Sequence, residues 1–147
     1  MRNPLVFLGV SVSLFLAGCS TPPEERLEAP AAKVEDLSVS ADASLLTLRF
    51  TNPNIVPLVV SSSTHKLSLD NNYIGVIDDA DPIGLPPQGQ VVHRVKLPPK
   101  VALAAQAYLR DHPGTVRASV KSGLNVATTN DDSVSLTSLG SGLIKNP

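Results

Sequence analysis

Apolar and polar residues alternate along most of the chain after residue 33. An alternation of period two places one set of side chains in a core and the other in water, as in a half-buried β-strand. The stretches that follow it are SLLTLRFT, HKLSLD, QVVHRVKL and TVRASVK; Leu37, Val39 and Ala41 repeat the pattern, and SVSLTSL does so less cleanly. The side chains predicted to face the core are Leu46, Leu48 and Phe50; Leu67 and Leu69; Val91, Val95 and Leu97; and Val116, Ala118 and Val120.

Turn-forming residues separate these strands. DNN at 70–72, PPQG at 86–89, HPG at 112–114 and TNDD at 129–132 are rich in residues that accept tight turns. Short strands at regular spacing, divided by such turns, are typical of an antiparallel β-sandwich. We therefore expect an all-β fold around one core.

One segment departs from the alternation. Residues 99–111, PKVALAAQAYLRD, are rich in alanine and leucine and have an apolar stripe at helical spacing. The residues of that stripe are Val101, Ala104, Ala105 and Tyr108. Proline suits the first turn of a helix, and the HPG turn ends the run. The sequence predicts one helix of about three turns that packs against the sandwich.

The first 18 residues have the composition of a secretory signal peptide. A short positive segment precedes the apolar stretch PLVFLGVSVSLFLAG, which is too short for a comfortable transmembrane helix and ends in small residues. This stretch runs directly into the only cysteine of the chain, in the sequence Leu16-Ala17-Gly18-Cys19. That sequence resembles a bacterial lipobox, the recognition site of the lipoprotein signal peptidase. The alternative is an apolar helix that contains a buried cysteine.

The resemblance to a lipobox implies cleavage between Gly18 and Cys19 and acylation of the Cys19 thiol and amine. Two or three acyl chains anchor a protein stably, whereas one holds it only marginally. Ser20 favours the outer membrane by the sorting rule of enterobacterial lipoproteins. We therefore expect a lipid-anchored protein of the bacterial cell envelope, in the outer membrane facing the periplasm, with the inner membrane as the alternative.

Residues 19–33, CSTPPEERLEAPAAK, contain three prolines, several charges and no hydrophobic period. Such a composition indicates a flexible or extended tether that follows the lipidated Cys19. Fully extended, it would reach roughly 45 Å from the bilayer. The folded domain is expected to span residues 34–147.

Asn52-Pro53-Asn54 and Pro57 interrupt an apolar, strand-forming region. Proline has no N–H to donate to a sheet, and asparagine side chains can bond nearby backbone in its place. We predict that the chain turns sharply at residues 52–54, passes between sheets and enters an edge strand, where the missing N–H of Pro57 faces no partner. A structural role for these four residues is favoured over a binding role.

The same region carries a family resemblance. The segments LTLRFTNPNIVPLVVSSSTHKLSLDNNYIGV and IGLPPQGQVVHRVKLP, followed by the alanine-rich helix and two closing strands, are similar to the type-2 late embryogenesis abundant (LEA type 2) family. The core of that family is also called the water-stress and hypersensitive-response (WHy) domain. The similarity covers Val34 to Leu143. Two features depart from the family pattern: His65 stands where an aromatic is frequent, and residues 78–81 are unusually acidic.

This resemblance implies an immunoglobulin-like or fibronectin type III-like antiparallel β-sandwich of about seven strands with one short α-helix, folded in water. It also implies a part in desiccation and stress tolerance, through protection of enzymes or membranes. The family supplies no catalytic residue to carry over.

Composition argues against nucleic acid as a partner. The net charge is −1, neither half of the chain is strongly basic, and only Phe50, Tyr73 and Tyr108 are aromatic after the signal segment. Phosphate attraction and base stacking therefore have no obvious source. The sequence has no phosphate loop, dinucleotide fingerprint, zinc-ligand spacing or nucleophile elbow. We expect neither an enzyme nor a cofactor.

Two sets of side chains are of residue types that can bind metal ions. The chain has three histidines in three different segments: His65, His93 and His112. For His93 we expect a hydrogen-bonded side chain at the sheet margin. Asp78, Asp79 and Asp81 could offer oxygens to calcium, but the spacing lacks the glycine and terminal glutamate of a helix–loop–helix site. A solvated turn is the favoured interpretation.

Two non-enzymatic functions remain. In the first, the domain protects against desiccation or other stress through weak contacts with lipid surfaces or partly unfolded client proteins, and is held to the membrane as a monomer by lipid on Cys19. In the second, it is an adaptor subunit of an envelope assembly that uses a sheet edge to bind a partner strand.

Overall fold

The computed structural model describes residues 26–40, 42–128 and 132–146. Within them the chain forms eight β-strands and one α-helix. In chain order these are β1 (Ala31–Val39), β2 (Ser44–Thr51), β3 (Leu58–Leu69), β4 (Asn72–Asp79), β5 (Ile83–Leu85), β6 (Gln90–Lys96), α1 (Pro99–Asp111), β7 (Gly114–Ala127) and β8 (Ser133–Asn146). The predicted all-β class with one helix is confirmed.

The strands form one curled, open sheet in the order β4-β3-β7-β8-β1-β2-β6, and β5 pairs with β3. The described pairings are antiparallel except that of β1 with β8, where Ala32 faces Gly140 and Lys33 faces Ser141. The sheet curls until β6 contacts β4 and β5. The result is a sandwich-like enclosure in which hydrogen bonding runs from one layer into the other through β1 and β8.

The core lies inside this curl. Leu46, Leu48 and Phe50 of β2 are fully buried, and their neighbours Thr47 and Arg49 are only partly so. The other predicted core positions that are buried are Leu67, Leu69, Val95, Leu97, Val116, Ala118 and Val120, whereas Val91 is partly buried. Burial of one face of each strand is the main source of stability expected for such a sheet.

The crossing of β8 over β1 depends on glycine. A Cβ atom on Gly142 would overlap the carbonyl oxygen of Val34, and one on Gly140 would come within 2.8 Å of Ala32. Two backbones can approach this closely only where no side chain intervenes. The parallel contact of the two strands therefore requires glycine at both positions.

The helix has the predicted bounds. Val101 and Ala105 are buried, but Ala104, which was expected in the packed stripe, is exposed. The helix lies on β4, and a Cβ on Gly75 would be 2.6 Å from Val101 Cγ2. Its close approach to the sheet thus needs glycine beneath it. The helix ends at the HPG turn, where Gly114 has φ of 106°.

The predicted turns are largely as expected. Asp70 and Asn71 both have positive φ, at 44° and 68°, which is the geometry of a two-residue hairpin turn matched to sheet twist. In the PPQG turn, Gly89 N–H donates to Pro86 O at 3.1 Å and Gln88 has φ of 50°. Residues 129–131 of the TNDD turn lie outside the described residues.

The prediction of an edge strand after Pro57 is wrong. Strand β3 begins one residue later, at Leu58, and lies between β7 on one side and β4 and β5 on the other. Because Pro57 stands outside the strand, its missing N–H costs no ladder bond. A bulge between Val60 and Ser62 reverses the buried parity, so two apolar stretches of opposite phase form one strand.

The folded domain also begins earlier than predicted. Strand β1 starts at Ala31, Leu27 packs against the core, and Ser138 Oγ donates to Pro30 O at 2.5 Å. The assignment of residues 27–33 to a flexible tether is therefore wrong. Residues 1–25, with the predicted signal peptide, lie outside the described residues. Within the described part, no helix is long and apolar enough to cross a membrane.

Candidate functional site

The Asn52 side chain lies at the end of β2, where it is 1% exposed. Its Nδ2 donates to Val56 O at 2.9 Å and Pro86 O at 3.1 Å, with Leu85 O at 3.4 Å. Its Oδ1 accepts from Asn54 N–H at 3.0 Å and Asn54 Nδ2 at 2.8 Å. Every polar atom of this amide is therefore used within the protein. We call Asn52 with the segments 54–56 and 85–89 the Asn52 junction.

Backbone bonds complete the Asn52 junction. Asn52 N–H donates to Gly89 O and Gln88 N–H to Asn54 O, each at 2.9 Å. The Asn54 side chain then holds the incoming chain, because it accepts from Glu28 N–H and donates to Glu28 O, each at 2.8 Å. Three remote parts of the chain thus meet at the N-P-N motif.

The asparagines of the motif bond to backbone groups around them, in a region where Pro53 and Pro57 have no N–H to donate. Both prolines are exposed, and the left-handed residue of the junction is Gln88. The bonds to residues 85–89 hold β5 and the start of β6 against the end of β2.

A second polar group lies inside the core around His65, which is 0% exposed. Its Nε2 lies 3.0 Å from Ser63 Oγ and its Nδ1 lies 2.8 Å from Ser122 Oγ, and both serines are buried. A neutral imidazole has one donor and one acceptor nitrogen, and hydroxyls can serve either. Burial lowers the pKa of His65 from 6.5 to about 4, against an opposing effect of the Asp79 charge. Histidine is therefore neutral here at physiological pH.

The His65 group has components of nucleophilic chemistry but not the access. A serine nucleophile must present its hydroxyl to a substrate. Ser63 is 3% exposed and Ser122 is 0% exposed, because both point from β3 and β7 into the core. The arrangement therefore satisfies polar groups within the core.

His93 and Asp79 join the two ends of the sheet. His93 Nε2 on β6 lies 2.5 Å from Asp79 Oδ2 on β4, and both side chains are at most 14% exposed. The hydrogen bond predicted for His93 at the sheet margin is confirmed. The solvated turn predicted for the aspartates is wrong for Asp79, whose Oδ1 also accepts from Asp81 N–H at 3.1 Å. Asp78 Oδ1 accepts from Thr64 Oγ1 at 3.0 Å.

The remaining candidate residues are His112, the possible metal ligands, and Gly18 and Cys19. His112 Nδ1–H donates to Tyr108 O at 2.9 Å, and its ring stacks on that of Tyr108. In residues 26–40, 42–128 and 132–146 no three His, Cys, Asp or Glu side chains are grouped to hold a metal ion. Gly18 and Cys19, the predicted cleavage and lipidation site, lie outside the described residues.

Comparison with solved structures places the fold. The chain is similar to a protein from Arabidopsis thaliana solved in solution, with a TM-score of 0.54, 18% identity and coverage of 82% of this chain and 83% of that one. It is also similar to the solution structure of a candidate late embryogenesis abundant protein, with a TM-score of 0.50, 19% identity and coverage of 80% and 71%. The sequence matches no protein-family model and no curated protein. The likeness is one of fold.

Proposed function

We propose that this chain is a non-enzymatic, membrane-anchored envelope lipoprotein with a LEA type 2/WHy domain, protective in desiccation or other stress. The observation that carries the proposal is the position of the N-P-N motif within the order of structural elements. The order of motif, PPQG turn, helix and closing strands that resembles the LEA type 2 family occurs in a fold that a candidate LEA protein also adopts. The domain would act through weak contacts with lipid surfaces or partly unfolded proteins, without cofactor or nucleic acid.

A deletion strain tests the protective role. Cells that lack the protein are expected to lose more viability on drying and rewetting than the parent strain, and the wild-type gene should restore survival. A second complementing gene carries Asn52→Ala and is expressed to the same level. It provides a matched control, because it removes the side-chain hydrogen bonds of the Asn52 junction and leaves Cys19 unchanged. Equal survival of deletion and parent strains would contradict the proposal.

Replacement of Cys19 by Ser tests the anchor. The wild-type protein should fractionate with membranes and stay there in high salt, because burial of acyl chains is not screened by ions. Cys19→Ser removes the thiol that accepts lipid, so the protein should appear as unprocessed precursor or as a soluble form. Mass spectrometry of the N-terminal peptide checks the acyl chains directly. Wild-type protein that is soluble with an unmodified Cys19 would refute the anchor.

The early start of the folded domain shortens the tether expected after Cys19. Since Leu27 already packs on the domain, only residues 20–26 separate Cys19 from the folded part, so that the two are at most roughly 26 Å apart when the chain is extended. The domain would therefore stay close to the bilayer surface.

An adaptor function is the second candidate, and one feature favours it. In the described residues β1 and β8 pair at two positions only, and a groove of about 410 Å³ follows, lined in part by Leu37, Val39, Leu109 and Ile144. Unpaired strand edges beside apolar side chains can accept an added strand. A deletion strain that survives drying but fails to assemble one envelope complex would favour this function.

A further inference from the structure

The outward face of the sheet has a charged half that the sequence does not reveal. Outward side chains of neighbouring strands stand side by side where the register pairs their residues. Lys66 on β3 is thus beside Lys121 on β7, which is beside Leu139 on β8, and Arg117 is beside Leu143. We call the outward residues of this half the basic face. Its cations, all exposed, are Lys33, Lys66, Arg117, Lys121 and Lys145.

The basic face concentrates positive charge in a chain whose net charge is −1. Among the described residues, none of the five cations is within 4.0 Å of a carboxylate oxygen. The nearby Glu35 carboxylate is bound to Arg49 Nε at 2.7 Å. Asp70, at the margin, accepts from Arg117 N–H and Tyr108 OH. Lys66 directly opposite Lys121 is an unfavourable pair for a free sheet, so an anionic partner would relieve it.

Apolar side chains lie among these charges. Leu139 is 70% exposed, Leu143 is 65% exposed and Tyr73 is 64% exposed. Leu139 and Tyr73 border a shallow groove of about 640 Å³ together with Lys66 and Lys121. Single exposed apolar residues are ordinary, and Ser68, Ser119 and Ser141 separate these three from one another; what distinguishes this half of the face is their mixture with unpaired cations. The partner must therefore offer both negative charge and apolar contact.

The rest of the same sheet face is different. Farther along β3, β7 and β8 the outward residues are small and uncharged: Ser62, Thr64, Gly123, Asn125, Ser135 and Thr137. Asp78 of β4 is placed beside Thr64. The basic residues are thus confined to one half of the face, whereas an exposed apolar residue, Val59 of β3, lies in the other half.

We propose that the basic face rests on an anionic phospholipid bilayer, an inference that builds on the anchored function proposed above. Lysine and arginine would contact headgroup phosphates, while Leu139, Leu143 and the Tyr73 ring would enter the boundary between headgroups and acyl chains. Long basic side chains suit this position because their stems lie in apolar surroundings and their charges reach the phosphates.

The lipid anchor proposed on Cys19 favours a membrane as the occupant. Ala32 of β1 pairs with Gly140, one residue from Leu139, and Ser138 bonds Pro30. Pro30 therefore lies next to the margin of the basic face, and Glu28, bonded to Asn54, leads the chain on toward the Asn52 junction. With only residues 20–26 between Cys19 and Leu27, the tether spans roughly 26 Å at most, so the basic face stays within reach of the bilayer.

Lysine labelling on the full-length protein tests the proposal. The protein is reconstituted into vesicles of phosphatidylcholine alone or with phosphatidylglycerol, and an amine-reactive acetylating reagent is added. Lys66 and Lys121 should react several-fold more slowly in phosphatidylglycerol vesicles at low salt, and the difference should shrink at high salt. Lys96 on β6 and Lys100 on α1 are exposed outside the face and serve as internal references.

A pair of charge-reversal variants gives the control. The Lys66→Glu, Lys121→Glu double variant should lose the protection of Lys33 and Lys145 by phosphatidylglycerol, whereas Lys96→Glu, Lys100→Glu should keep it. Equal labelling of Lys66 and Lys121 in both vesicles, with the protein still in the vesicle fraction, overturns the basic face and leaves the anchor intact. Protein that is absent from the vesicle fraction with either lipid composition overturns both the basic face and the anchor. Protection by DNA but not by phosphatidylglycerol would overturn the lipid as partner.

Discussion

Asn52→Ala is expected to lower the free energy of unfolding by about 3 kcal/mol, because several backbone groups lose their partners at once. The Nδ2 donor to Val56 O and Pro86 O disappears, and so does the Oδ1 acceptor for Asn54 N–H. These groups lie around a side chain that is 1% exposed, so water replaces the lost bonds poorly. Urea unfolding of the purified protein measures the change.

Two matched variants separate the parts of this effect. Asn54→Ala should cost about 1 kcal/mol, since Asn54 is partly exposed and mainly holds Glu28. Asn52→Asp keeps the acceptor and the shape but turns the donor toward Pro86 O into a second acceptor, so it should destabilise at least as much as alanine. An unchanged unfolding midpoint for Asn52→Ala, together with lost protection on drying, would make the motif a binding site.

Local patterns accounted for much of the fold. The bounds of α1 follow from Pro99, the alanine-rich run and the glycine turn, all within one segment. Strand β2 follows from the alternation of Leu46, Leu48 and Phe50. In each case the residues that determine the element are the residues that form it, so the sequence alone was sufficient.

Strands β3, β4 and β5 show where local patterns fail. The bulge at residues 60–62 shifts the phase of alternation, so one strand resembled two. In β4 an inward position is Gly75, which accommodates Val101 of the helix and contributes no apolar signal. Strand β5 has three residues and exists because it pairs with β3. Each of these features is decided by packing against a distant segment.

The candidate site also has a part that local sequence predicts and a part that depends on distant segments. The N-P-N motif identified Asn52, but its partners at residues 85 and 86 are more than 30 positions away in the chain. The five cations of the basic face come from four strands and meet only through the register of the sheet. Net charge near zero concealed them, because a sum does not report where charges lie.

Acidification below pH 6.5 should destabilise the domain through His65. The pKa of His65 is lowered by burial to about 4, whereas the unfolded chain titrates at 6.5. Between these values the unfolded state binds the proton and the folded state does not, so falling pH favours unfolding. The stabilisation is complete above pH 6.5 and is lost as the pH falls toward 4. The difference between the two pKa values corresponds to about 3 kcal/mol of unfolding free energy.

The other histidines provide controls for this dependence. His93→Gln removes the partner of Asp79 at the sheet margin, and His112→Gln changes a side chain at the helix end. Both variants should retain the loss of stability between neutral pH and pH 5. In contrast, the triple variant His65→Phe, Ser63→Ala, Ser122→Ala replaces the buried polar group by apolar side chains and should flatten the curve, because paired removal leaves no orphaned donor.

The titration of His65 can also be measured directly in the wild-type protein, which removes any dependence on the folding of the triple variant. The ring Cε1–H resonances of the three histidines are followed by NMR as the pH is lowered. The His65 resonance is expected to stay at its neutral position until the protein begins to unfold, while the unfolding free energy from urea curves falls by about 1.4 kcal/mol per pH unit at the steepest point. A His65 resonance that titrates near 6.5 in the folded protein would show that protonation is accommodated in the core. The acid sensitivity would then have to come from groups outside the Ser63–His65–Ser122 cluster.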